Sequence, residues 1–66
     1  MKTINEIHSD LMIFRDLSSK QSCELIGKWC GRTDHAVYKW LKKPPNEMVI
    51  GHVNRKYQEY MGEDDE

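Results

Sequence analysis

Apolar residues along this chain recur at three- and four-residue steps, and polar breaks separate the runs. Ile4, Ile7, Leu11 and Phe14 fall on one face of a helix. Thr3 or Asn5 supplies its cap. The polar run Ser18-Ser19-Lys20-Gln21 interrupts the pattern and reads as a connection. A second helix is expected from Ser22, whose hydroxyl suits an N-cap, with Glu24 at the positive end of the helix dipole. Leu25, Ile26, Trp29 and Cys30 give it an apolar face, and Gly31 supplies the left-handed residue that ends it.

A third helix follows almost at once. Thr33 is placed to cap it, Asp34 lies in its first turn, and Ala36, Val37, Trp40 and Leu41 keep the helical period. Lys42 and Lys43 suit its last turn, and Pro44-Pro45 forbids continuation. A fourth helix opens at Pro45 or Asn46. Val49, Val53 and Tyr57 form its stripe, Ile50 and Tyr60 broaden it, and Gly62 closes it. No segment alternates with the period of a strand. The expected fold is all-α, a compact domain of four to five helices over residues 1–61, followed by a disordered acidic tail, 62–66.

Size narrows the function. A chain of 66 residues buries only about 60% of its unfolded surface, which makes a lone copy marginal. It has no room for a deep catalytic cleft beside a binding domain. No apolar run approaches the roughly 20 residues of a membrane span. Glu6 and Asp10 interrupt the first ten residues, unlike a signal peptide, so the expected location is the cytoplasm.

The overall charge of -1 conceals a partition. Residues 20–56 carry eight cations (Lys20, Lys28, Arg32, Lys39, Lys42, Lys43, Arg55 and Lys56) against Glu24, Asp34 and Glu47, a net of +5. Residues 57–66 carry five carboxylates and no cation, a net of -5. A basic segment masked by an acidic end signals an anionic partner.

Cys23 and Cys30 are too few for a disulfide scaffold. Seven residues along a helix also separate them by about 10 Å, beyond disulfide reach. Cys23, Cys30, His35 and His52 lack the two-residue spacing of common zinc sites, so no metal is expected. A Cys–His nucleophile would have no orienting third group, so the chain is not read as an enzyme. No cofactor, membrane partner or small-molecule ligand is expected.

Residues 22–40 carry the functional signal: a capped helix, a glycine turn and a second capped helix. That is the layout of a helix-turn-helix. Gly27 is small where the second helix crosses the first, Gly31 tolerates the turn, and Val37 and Trp40 anchor the second helix. The segment resembles the helix-turn-helix of phage repressors of the Cro-like family at Ile26, Gly27, Cys30, Gly31, Val37 and Trp40, with Pro45 and Glu47 opening the next helix. The likeness spans about residues 20–60. It departs after the turn glycine, where that family usually has an apolar residue and this chain has Arg32.

The resemblance implies a sequence-specific transcriptional regulator of phage or prophage type, a repressor, bound to a double-stranded operator as a homodimer. The helix from Thr33 would enter the major groove with Asp34, His35, Tyr38 and Lys39 toward base edges. Asp34 either reads a base or complements the helix start. Gln21, Ser22, Lys28, Arg32, Thr33, Lys42 and Lys43 are the candidates for phosphate contacts. Tyr57, Tyr60 and Met61 are the candidate dimer interface, with core packing the competing role for Tyr57. The alternative is a small helical protein-binding module that does not meet DNA.

Overall fold

A computed structural model describes residues 1–62; the acidic tail expected beyond Gly62 lies outside the described residues. Four helices account for the regular structure among them: α1 (Ile4–Phe14), α2 (Ser19–Cys30), α3 (Asp34–Lys42) and α4 (Glu47–Met61). There is no strand among the described residues. None of the four helices is long and apolar enough to cross a membrane.

Local chemistry sets the helix starts. The Thr3 hydroxyl accepts from Glu6 N while the Glu6 carboxylate accepts from Thr3 N, a reciprocal capping box. Ser18 and Gln21 repeat the arrangement one helix later. The run expected to be a connection is therefore the cap and first turn of α2, which begins at Ser19 rather than Ser22. Asn46 caps α4 by accepting from Val49 N at 3.0 Å. Thr33 has N-cap backbone geometry, but its side chain makes no capping hydrogen bond.

Starting α2 three residues early fixes which of its side chains turn inward. Ser22, Cys23, Ile26 and Gly27 form its buried face. They meet Ile4, Ile7 and Leu11 of α1, Val37 of α3, and Val53 and Tyr57 of α4 in one core cluster. Phe14 does not join it. The residue stands on the last turn of α1, beyond the core's edge, and remains 64% exposed.

The α2–α3 junction depends on two glycines. Gly31 sits at φ 67°, a left-handed conformation that costs glycine little. Gly27 lets the turn fold back onto α2: a Cβ there would lie 2.7 Å from the Arg32 carbonyl oxygen and 3.0 Å from that of Thr33. Arg32 N closes the turn by donating to Gly27 O at 2.7 Å.

Polar ties from distant parts of the chain hold α1 in place. The Asn54 side chain accepts from Lys2 N and donates to Lys2 O, each at 2.8 Å. Asn5 Nδ2 donates to Leu41 O at 3.0 Å. The buried Tyr57 hydroxyl donates to Asp10 Oδ2 at 2.8 Å, and Lys2 pairs with the same carboxylate.

Candidate nucleic-acid interface

The face of α3 opposite Val37 is formed by His35, Lys39 and Lys42, all exposed. Helical spacing puts these three on one side because positions three and four apart are neighbours. Tyr38 and Asp34 stand at the edge nearer α2. Tyr38 is 37% exposed and Asp34 is half-buried. Both lie close enough to act on Cys23. Burial raises the Cys23 thiol above its ordinary pKa, the Asp34 charge adds to that, and a hydrogen bond with Tyr38 opposes it. Of the four expected base readers, His35 and Lys39 are therefore exposed on the outer face, while Asp34 and Tyr38 are partly engaged with α2.

On the other edge of α3, a cavity of about 480 Å³ opens between the start of α3 and the start of α4. Arg32, Thr33, His35, Lys39, Trp40 and Asn46 are among the residues that line it. Its lining contains no carboxylate. Four residues expected to meet nucleic acid are thus brought together around one opening. The Thr33 hydroxyl, unused as a cap, is part of that surface. The sequence pattern points to neither Trp40 nor Asn46 there. Helical spacing assigns Trp40 to the core, and it is half-buried, packed on the core cluster while bordering the cavity.

The remaining expected phosphate contacts divide. Lys28, Lys42 and Lys43 are exposed. Gln21 is exposed but lies at the far end of α2 from Arg32, with its side-chain oxygen accepting from Ser18 N. Ser22 departs from the expected phosphate contact: the residue is fully buried, so it cannot reach a phosphate. Its hydroxyl donates to the His8 carbonyl oxygen at 3.3 Å and lies 2.8 Å from His8 Nδ1.

The expected dimer residues also divide. Tyr57 is 2% exposed, with its hydroxyl on Asp10, so its surface is spent inside the chain and it cannot form an interface. Tyr60 is 40% exposed and packs against Trp29 with ring centroids 5.8 Å apart. The Arg15 guanidinium lies 5.2 Å over the Tyr60 ring, and its Nε donates toward Met61 Sδ.

His8 belongs to a network that no sequence pattern announces. Its Nδ1 faces Ser22 Oγ at 2.8 Å and Cys23 Sγ at 3.8 Å, and its Nε2 faces Ser19 Oγ at 3.3 Å. Burial lowers its pKa below 6.5. Both cysteines are free thiols. Burial raises the Cys30 pKa, with nearby Arg32 opposing the rise. Among the described residues, no three His, Cys, Asp or Glu side chains come together as a metal site. Comparison with protein-family models, with curated proteins and with solved structures finds no match for this chain.

Proposed function

We propose that this chain binds double-stranded DNA through α3, with His35, Lys39 and Lys42 directed into the major groove and Arg32 and Thr33 on the flanking phosphates. One observation carries the reading: Arg32, Thr33, His35 and Lys39 converge around a single opening whose lining has no carboxylate. Cations without a counter-charge create a potential that draws a polyanion. Lysine reaches the O6 and N7 acceptors of guanine, and histidine is short enough to meet a base edge only from the outward face. The tight α2–turn–α3 unit supports the reading too, because base recognition needs a helix held rigidly against its neighbour.

In this reading the protein is a cytoplasmic regulator of phage or prophage type. Two copies occupy two half-sites and repress by covering a promoter. Asp34 and Tyr38 stand at the edge of the contact, where they tune rather than carry it.

A salt titration tests the proposal. Affinity for a duplex selected from random DNA should fall steeply with ionic strength, with log K declining by about 0.9 per phosphate contacted. Replacing Lys39 and Lys42 by Ala should lower the affinity and relax the site preference. Affinity that ignores salt, or a preference that survives both changes, would remove α3 from the interface and favour a protein-binding module.

A further inference from the structure

The last turn of α1 ends in two apolar side chains that the core does not use. Ile13 is 68% exposed and Phe14 is 64% exposed. The next two residues carry opposite charges, Arg15 and Asp16, both exposed. Asp16 holds a left-handed backbone at φ 56°, uncommon for a residue with a side chain. It forms no ion pair among the described residues. Arg15 lies over the Tyr60 ring, which continues the apolar tip onto the end of α4.

We propose that this tip, Ile13 to Asp16 with Tyr60, is the surface on which a second copy of this chain docks about a two-fold axis. Charge selects both the surface and the occupant. Across a two-fold axis a patch meets itself, so it must not repel itself. The α3 face carries only positive or neutral side chains at its centre, so it would repel its own image. The α1 tip is balanced, with an apolar centre and one charge of each sign. Asp16 of one copy can then meet Arg15 of the other. The two large apolar residues at the centre suit the core of such an interface, and polar residues suit its rim.

α1 meets α3 at its other end, where Asn5 bonds Leu41. Asn5 and Phe14 are nine residues apart, so about 13 Å of helix separates that junction from the tip.

Sedimentation equilibrium of the full chain, without DNA, tests the surface independently of the DNA reading. The mass should rise from 7.8 kDa toward twice that value as concentration approaches about 1 mM, the weak end of specific association. Ile13→Ser with Phe14→Ser should raise the dissociation constant more than about ten-fold while leaving the helical circular dichroism unchanged. Should that variant lose helicity, Asp16→Asn, which tolerates the left-handed backbone, should weaken the dimer and its salt dependence. Met48→Ser, at another exposed apolar residue, should leave the dimer intact. A wild-type chain that stays monomeric at about 1 mM, or an Ile13/Phe14 variant that dimerises as well as the wild type, overturns the proposal. A dimer without DNA affinity sustains the surface and sinks the DNA reading instead.

Discussion

Two glycines on helices make opposite demands on the same substitution. Alanine at Gly27 would press its Cβ against the Arg32 and Thr33 carbonyl oxygens, and neither backbone atom can move without opening the turn. Helix propensity favours alanine by about 1 kcal/mol, but the clash costs about 1–3 kcal/mol. At Gly51 on α4 nothing lies within 4 Å of where an added methyl group would stand, so propensity acts alone. Urea melts should therefore show Gly27→Ala destabilised and Gly51→Ala stabilised by about 0.5–1 kcal/mol. Equal responses would mean that the close approach at Gly27 is not real. The need for a small residue at Gly27 is legible in the sequence, because a crossing helix and a turn glycine four residues later bracket it. The role of His8 is not. Its partners Ser19, Ser22 and Cys23 look like ordinary polar and small residues until α2 turns them toward α1. Ser22 donates to the His8 carbonyl and so accepts from Nδ1–H, while Nε2 accepts from Ser19; the neutral ring satisfies both hydroxyls. With its folded pKa lowered by burial, His8 takes up a proton more readily in the unfolded chain. Its stabilising contribution is complete above pH 6.5, the unfolded value, and is lost as pH falls from there through the folded value. Thermal melts between pH 7 and pH 5 (values on the order of the histidine range) should show this loss, and His8→Gln should flatten it.

At the scale of the helix, capping divides the four elements. α1, α2 and α4 each begin with a side chain that accepts a backbone N–H, whereas α3 does not. Ser18→Ala should accordingly cost about 1 kcal/mol, since it removes half of a reciprocal pair. Thr33→Ala should cost only a few tenths of that in stability, because no capping bond is lost, yet it should weaken DNA binding. A gel-shift titration beside a urea melt separates the two effects. A stability loss at Thr33 equal to that at Ser18 would show that the hydroxyl caps α3 after all. The start of α2 departs from the expected position for a physical reason. Ser22 followed by Glu24 satisfies the dipole argument, but Ser18 with Gln21 satisfies two backbone donors at once, and the stronger arrangement sets the boundary. The Ser-x-x-Gln spacing is present in the sequence; no apolar residue at Ser19, Lys20 or Gln21 draws the helical period back to it. The end of α1 departs in the other direction. Phe14 keeps the period of Ile4, Ile7 and Leu11, and period cannot tell whether a facing element extends that far.

For the whole molecule, the partition of charge is the most legible functional feature, because it needs only the order of residues. The sequence can also nominate Arg32, Thr33, His35 and Lys39, but their convergence depends on where α4 starts, and Asn46 completes that surface from a different helix. Tyr57 shows the same limit in reverse: an aromatic on a stripe reads as core or as interface, and its burial with the hydroxyl on Asp10 of α1 decides for the core. The Asn54–Lys2 clasp has a consequence for the order of folding. α2 and α3 are joined by a short turn, so their contacts close with little loss of chain entropy. The clasp joins residues 52 apart, and the Asn5–Leu41 and Tyr57–Asp10 bonds join residues 36 and 47 apart. Contacts at such separation cost more entropy to close and are made later. Asn54→Ala should thus speed unfolding several-fold and leave the refolding rate nearly unchanged, a φ-value of about 0–0.3. Stopped-flow chevrons would measure both limbs, and an equal slowing of refolding would place the clasp in the nucleus instead. With late closure, α2 and α3, the part of the chain proposed to read DNA, pack together before the chain's first residues are fastened to α4.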